Sequence, residues 1–392
     1  TPEEVARLCE GTPVRAVLRA AHFGTVELHV ADGEGRHMAE YTTFRVDSYR
    51  GGHQPSAVCF AETPEVDALR RDFSVNALYR QLHANPATPA EVLDPTGGLA
   101  HMRQGVLHTV TPDPDQVLKD DGLRILRAAR FQAELGFTPT PALLASAAKY
   151  AHLLREIAME RLRDELTKLL CADTRYPTLA RTVPPVQAGL HTVLAIGAWQ
   201  PLFGALRPDE TAIDALRFYQ PPEDVPPVAG KLALLFWHES PDTLIERLLA
   251  LRFSQREAAF AGDALRVNQR VLAVSLTHMD AVRLGLPPLR HALAALRALM
   301  LAGEPLAGAA TRAEAMLTVL QSGVPLSLAA LPVNGHDLLP LCRERGLPAR
   351  LVGQTLQTLW HDAVEAYIPN ERAALLAHAR TLLDAAKAAG AH

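Results

Sequence analysis

Strand signals are confined to the first part of this 392-residue chain, and that asymmetry constrains its fold more than any other feature. Residues 23–30 alternate like a half-buried strand and run into an Asp32-Gly33 turn signal. Residues 37–45 supply a partner strand and residues 57–60 a third short one, whereas residues 67–79 read as a helix. Asp94-Pro95-Thr96-Gly97-Gly98 is a turn, and Thr111-Pro112-Asp113-Pro114 breaks the chain before a helix. From residue 115 onward strand signals almost vanish. Leu and Ala at helical spacing dominate, interrupted by proline hinges at 138–141, 184–185 and 221–227. The pattern predicts a mixed α/β head followed by a long all-helical remainder, without a tandem repeat of fixed period.

Composition narrows the class. Hydrophobic residues make up 48% of the chain, and no apolar run is long enough to span a bilayer, so we expect a soluble protein without a membrane partner. Cys9, Cys59, Cys171 and Cys342 lie far apart, in neither metal-ligand nor disulfide spacing, which points to the cytoplasm. A net charge of -4 provides no global attraction for nucleic acid, so any RNA contact must come from local patches. The basic residues are nearly all Arg, which suits bidentate phosphate contacts but equally fits a GC-rich coding bias.

Two polar runs carry chemistry. The first is Arg70-Arg71-Asp72-Phe73-Ser74-Val75-Asn76-Ala77. The second is Asp120-Asp121-Gly122-Leu123-Arg124-Ile125-Leu126-Arg127-Ala128, closed by Arg130-Phe131. In this order, with Asp94-Pro95-Thr96-Gly97-Gly98 between them, they resemble the class II tRNA nucleotidyltransferases, the bacterial CCA-adding enzyme and poly(A) polymerase family. The resemblance begins at Thr1-Pro2-Glu3-Glu4-Val5 and returns near the C-terminus. It implies an α+β head, an incomplete polymerase-β-like palm, followed by an all-α region in a predominantly helical, elongated molecule. The implied organisation is a head over residues 1–110, a neck for base recognition over 111–175, a helical body over 176–310 and a tRNA-binding tail over 311–392.

The function implied is addition of C, A or both to the 3′ end of tRNA, using CTP and ATP with Mg²⁺ and no nucleic-acid template. Asp121 and Arg124 are the base readers. Three apart on a helix, they would share one face. The carboxylate would accept from the exocyclic amine of cytosine or adenine while the guanidinium donates to the neighbouring ring nitrogen. Uracil and guanine reverse that pattern and leave buried groups unpaired, at about 1–3 kcal/mol each. Read without the surrounding motifs, the pair is a surface ion pair worth a few tenths of a kcal/mol. Arg127 and Arg130 complete the nucleotide-binding set. In the first run, Asp72 and Asn76 at i,i+4 would meet ribose hydroxyls and Arg70 and Arg71 the triphosphate, while Phe73, Val75 and Leu78 pack. Asp94, Gly97 and Gly98 form the hinge, where His101 and His108 replace the usual Asp and Arg. Asp120 replaces a Glu and Gly122 a Pro.

In the family, Asp-x-Asp carboxylates bind two Mg²⁺ ions. They precede the segment at which this sequence starts, so we expect an N-terminally truncated chain. Glu40, in Glu40-Tyr41-Thr42-Thr43-Phe44-Arg45, stands where the family has its third catalytic and metal-binding carboxylate. Asp113-Pro114-Asp115 imitates Asp-x-Asp, but prolines preclude the required strand. The loop over residues 47–55 keeps nearly its full length, which suits A addition, although His53-Gln54 replaces an Arg-Arg pair. The run from Met159 to Leu170 resembles the last neck motif, which braces the base-reading helix. Asn334-Gly335-His336-Asp337, Gly353 and Asn370-Glu371-Arg372 resemble the tail.

Three other readings rank lower. A bacterial poly(A) polymerase carries a basic-aromatic signature where this chain has His22-Phe23-Gly24-Thr25. A non-catalytic tRNA-binding protein would follow if the Asp-x-Asp site is truly missing. A metal-dependent phosphohydrolase would need more than the dipeptides His336-Asp337 and His361-Asp362.

Overall fold

The computed structural model describes residues 1–33, 35–48, 57–83, 85, 87–273 and 277–389. The chain divides into two compact units, Thr1–Ala205 and Leu206–His392.

Unit 1 opens with helix α1 (Pro2–Cys9), capped by Thr1 and Glu4 in a reciprocal box. A three-stranded antiparallel sheet follows, β1 (Arg15–Ala20), β2 (Thr25–Asp32) and β3 (Gly35–Thr42), with β2 central. β4 (Arg45–Ser48) and β5 (Ala57–Phe60) form a separate hairpin pair. The alternation read from residues 23–30 thus becomes β2, whereas the partner strand expected over 37–45 ends at Thr42, and Arg45 opens β4 in the other sheet. The loop over 47–55 falls mostly outside the described residues.

The helix expected over residues 67–79 does not form as one element. Helix α2 (Pro64–Leu69) ends before Arg70. Beyond it the backbone is claimed by a distant segment: Ser74 N–H donates to His108 O at 3.0 Å, and Val110 N–H donates to Asp72 O at 3.2 Å. Non-local pairing has overridden local helix propensity. Only a short 3₁₀ turn, Ser74–Asn76, remains helical, and the two-residue strands β6 (Tyr79–Arg80) and β7 (Val92–Leu93) follow.

Helix α3 (Gly98–Gln104), β8 (Val106–Leu107) and α4 (Pro114–Asp120) lead into α5 (Leu123–Leu135), the axis of this unit. After β9 (Thr138–Pro139), the helices are α6 (Pro141–Tyr150), α7 (Met159–Leu170), α8 (Ala172–Arg175), α9 (Pro185–Ala195) and α10 (Trp199–Phe203). α7 and α9 pack on α5, whose Ile125, Leu126, Ala129 and Ala133 are fully buried.

Unit 2 is all-helical among its described residues. Its helices are α11 (Glu210–Ala215), α12 (Pro227–Leu235), α13 (Pro241–Ala250), α14 (Gln255–Leu272), α15 (His278–Leu284), α16 (Leu286–Leu301) and α17 (Ala307–Gln321). α18 (Gly335–Glu344), α19 (Arg350–Val364) and α20 (Arg372–Ala388) complete it. One apolar cluster joins α14 to α17, and another joins α18 to α20.

A buried imidazole gives unit 2 a pH signature. His291 is fully buried, with Nδ1 3.4 Å from the Tyr219 hydroxyl. Burial pushes it from its ordinary 6.5 down to about 3. The unfolded chain therefore binds an extra proton between these values, so stability is complete above 6.5 and declines as pH falls toward 3. About 2 kcal/mol should be lost between neutral pH and pH 5. Urea midpoints of wild type and His291→Gln across that range check this; parallel pH profiles would contradict it.

Candidate nucleotide-binding site

The site is built where the Arg70–Asn76 turn meets the start of α5. Its least obvious member is Asp67, on α2 and 1% exposed. Its Oδ1 accepts from Arg70 Nε at 2.7 Å and from the backbone N–H of Arg45 at 3.3 Å. Oδ2 accepts from Arg71 Nε at 3.0 Å and Nη2 at 2.8 Å, and from the Tyr79 hydroxyl at 2.9 Å. Burial pushes this carboxyl up, but Arg70 and Arg71 outweigh it and hold it below its usual range. Sequence reading passed over Asp67, although Asp at i with Arg at i+3 and i+4 was a visible signal. Asp67→Asn keeps the shape and removes the charge that gathers both arginines. It should cost about 1–3 kcal/mol, read as a lower urea midpoint with an unchanged slope.

Asp72, 6% exposed, is saturated with donors. Oδ1 accepts from Phe73 N–H at 2.8 Å and Asn76 Nδ2 at 3.2 Å, and Oδ2 from Arg127 Nε at 2.6 Å. Asp72 and Asn76 therefore do not share the expected helix face; they bond each other across a tight turn. Burial raises the Asp72 carboxyl, and Arg127 and Arg124 outweigh it, leaving it below its ordinary value. Phe73 is fully buried, its ring edge-on to Phe131.

The expectation that Asp121 and Arg124 share a helix face needs correction. Asp121 is extended (φ -148°, ψ 105°) in the break between α4 and α5. Its Oδ1 accepts Leu123 N–H at 3.1 Å, and its carbonyl accepts Arg124 N–H at 3.0 Å, so it holds the entry to α5 from the position before the Gly122 N-cap. Gly122, which stands in place of the resembled family's usual proline, is in the helical region (φ -56°, ψ -22°). Arg124, 8% exposed, donates to Val117 O at 3.0 Å and to Arg70 O at 2.5 Å. Its guanidinium and the Arg127–Asp72 contact bind the two polar runs into one site.

Behind that site lies an ionic layer. Glu165 on α7 accepts from Arg130 Nε at 2.5 Å and lies 3.5 Å from Arg127 Nη1, with Lys168 at 3.0 Å. Arg130 also pairs with Glu134. Burial raises the Glu165 carboxyl, yet Arg130, Arg127 and Lys168 together bring it below its normal range. The brace inferred for Met159–Leu170 thus rests on Glu165 and on Arg161, which pairs with Asp121 at 2.6 Å. Sequence reading assigned neither residue individually.

Asp94 accepts the N–H groups of Gly98 and Leu99 at 2.7 and 2.9 Å, fixing the start of α3. Gly97 has φ +75°, and a Cβ on Gly98 would stand 2.3 Å from Ser74 O, so the Asp94 turn presses directly on the Arg70–Asn76 segment. His101 and His108 stack with centroids 4.6 Å apart, and His101 Nδ1 lies 2.8 Å from Ser74 Oγ.

Glu40 is exposed on β3, opposite Glu27 of β2. Among the described residues, no three His, Cys, Asp or Glu side chains converge as metal ligands. Asp113 caps α4, and Asp115 pairs with Lys149. In unit 2, Arg372 pairs with Asp337 at 2.5 Å beside the Asn334 cap of α18, so the tail motif is an internal clasp. Asp362 lies between His361 and His378.

Residues 1–108 match the Poly A polymerase head domain, and residues 136–182 the probable RNA and SrmB-binding site of polymerase A. The CCA-adding enzyme of Levilactobacillus brevis is 30% identical over 389 residues, 96% of this chain and 86% of that protein. That of Lactiplantibacillus plantarum is 29% identical, covering 98% and 86%. The fold is similar to the crystal structure of the Bacillus stearothermophilus CCA-adding enzyme in complex with CTP, with a TM-score of 0.71 at 23% identity, covering 99% and 88%. The Thermotoga maritima CCA-adding enzyme complexed with tRNA gives a TM-score of 0.62 at 15% identity, covering 97% and 84%.

Proposed function

The chain belongs to the class II tRNA nucleotidyltransferase family, and we propose that it adds C and A to the 3′ end of tRNA without a nucleic-acid template. The observation that carries this reading is the union of the two polar runs through Arg124 on Arg70 O and Arg127 on Asp72. One site then holds groups suited to base, sugar and phosphate.

In this reading Asp121 accepts from the amine of cytosine or adenine, and Arg124 donates to the adjacent ring nitrogen. Asp72 is saturated by protein donors, so it positions Asn76 and Arg127, and Asn76 faces the ribose. Arg70 and Arg71 offer the phosphates the N–H groups that Asp67 leaves over. Arg130 stiffens α5 from behind. Asp94, Gly97 and Gly98 couple the Arg70–Asn76 turn to α3, where a hinge would act. The head, neck, body and tail divide near residues 110, 175 and 310, and the tail recognises tRNA by shape and backbone. The site of action is the cytoplasm.

Nucleotidyl transfer in this family draws on a divalent metal, and Mg²⁺ is the ion we assign. Glu40 is the carboxylate of this chain that would meet it. The described residues do not by themselves form a two-metal site, so no step here passes through the ion.

The test offers CTP, ATP, GTP and UTP separately to tRNAs ending before the first C, after C and after CC. The base choice is what the test reads, whatever the overall rate: where nucleotide is incorporated, C is expected on the first two and A on the third. Incorporation of U or G at comparable rates would overturn the reading. So would long A tracts, or failure to bind any of the four nucleotides.

A further inference from the structure

The fold has already engaged both oxygens of Asp121. Oδ1 takes the Leu123 N–H at the start of α5. Oδ2, the oxygen left for a base, accepts from Arg161 Nη2 at 2.6 Å. Arg161 comes from the first turn of α7, forty positions along the chain. Its side chain is 35% exposed and that of Asp121 16%, so the pair lies at the rim of the site and not in the core. Arg124 meanwhile donates to two backbone carbonyls.

A carboxylate oxygen has two lone-pair directions, and a guanidinium is a donor with no acceptor. Arg161 on one lone pair leaves the other for a second donor, such as a base amine. It also fixes the plane of the carboxylate, which would otherwise rotate about its last torsion, a broad and soft one. A fixed carboxylate rewards an amine and repels a carbonyl at the same point. A rotating one does both less well.

We propose that Arg161 is a specificity-determining positioning residue, which orients Asp121 Oδ2 so that the site accepts amine-bearing bases and rejects uracil and guanine. This rests on the reading of Asp121 as a base reader. A residue that merely braced α5 against α7 would weaken all nucleotides alike, because it would disturb the site without regard to the base. Arg161 acts on a difference between bases.

The test is calorimetric titration of CTP and UTP onto the full chain, comparing wild type with Arg161→Gln, Arg161→Lys and Asp121→Ala. Wild type should favour CTP. Arg161→Gln should lower the CTP-to-UTP affinity ratio about tenfold, the scale of one charge-assisted hydrogen bond. Arg161→Lys should restore most of the ratio, since an ammonium is also a pure donor, and it serves as the informative variant if the Gln form unfolds. Equal weakening of CTP and UTP by Arg161→Gln, with no rescue by Lys, would overturn the proposal. If Asp121→Ala collapses the ratio while Arg161→Gln leaves it intact, only the role of Arg161 fails. If Asp121→Ala leaves the ratio unchanged, the base-reading assignment fails with it.

Discussion

Asp121→Ala should erase the preference for CTP and ATP over UTP and GTP while leaving the protein folded. The carboxylate makes one local bond, to Leu123 N–H, and one ion pair at the rim, to Arg161. Losing one local hydrogen bond costs about 0.5–1.5 kcal/mol, and a partly exposed ion pair contributes up to about 1 kcal/mol. A domain of ordinary stability survives that loss. The effect on recognition is larger because it acts on a difference. Cytosine and adenine lose an acceptor for the amine, while uracil and guanine lose a clash. At about 1–3 kcal/mol for the mismatch, the preference should shrink by roughly 5- to 150-fold. Affinities of all four nucleotides, measured on the variant and on wild type, check this. A variant that binds every nucleotide less well but keeps its ranking would show that Asp121 serves only to hold the entry to α5.

Asp72→Ala should destabilise unit 1. Four donors converge on this carboxylate, and the strongest, Arg127, holds it with both Nε and Nη2 at 2.6 Å. Removing the acid leaves the Arg127 guanidinium with the more distant Glu165 and Asp121 as its counter-charges, and it frees the Asn76 side chain. The Arg127 side chain is 28% exposed, so the cost is that of leaving buried donors unsatisfied, about 1–3 kcal/mol, and not that of a fully buried charge. The turn that carries Arg70, Arg71 and Asn76 should lose its fixed shape, so discrimination between ribo- and deoxyribonucleotides should fall with it. The expected readings are a urea midpoint lowered by the equivalent of that energy and a flattened ratio of CTP to dCTP affinity. A variant with wild-type stability would contradict the saturated-acceptor geometry. The pH dependence carries a matching sign. The Asp72 carboxyl lies below its ordinary value in the fold, so its contribution is complete above the unfolded pKa and is lost as acid brings the pH down through the folded one.

Much of the architecture was legible because the periodicities are strong. Alternation marked β2 and its neighbours, and the proline-punctuated runs of Leu and Ala marked the helices beyond residue 115. Proline flanking Asp113 correctly argued against a strand there, and the residue caps α4 instead. The failures share one cause, namely partners distant in sequence. Residues 72–74 would be helical by local preference, but residues 108–110 take their backbone hydrogen bonds. Asp121 and Arg124 have helical spacing, yet the chain kinks between α4 and α5 and leaves Asp121 holding the entry to α5.

The same holds for the site. The motif residues themselves stand out as polar clusters, but what holds each one does not. Asp67, Glu165 and Arg161 look like ordinary members of charged helices until the fold sets them against Arg71, Arg130 and Asp121. Asp72 reads as a free acceptor in the sequence, whereas in the fold its oxygens are already occupied. Spacing identifies which side chains can carry chemistry. Only packing tells which of them touch a ligand and which position the ones that do.

The most direct measurement is the equilibrium affinity of the intact chain for CTP, ATP, UTP and GTP, taken side by side in one buffer. If Asp121 and Arg124 read the amine and ring nitrogen together, CTP and ATP should each bind about tenfold or more tightly than UTP and GTP. Equal affinity for all four, or a preference that follows purine against pyrimidine, would contradict the account.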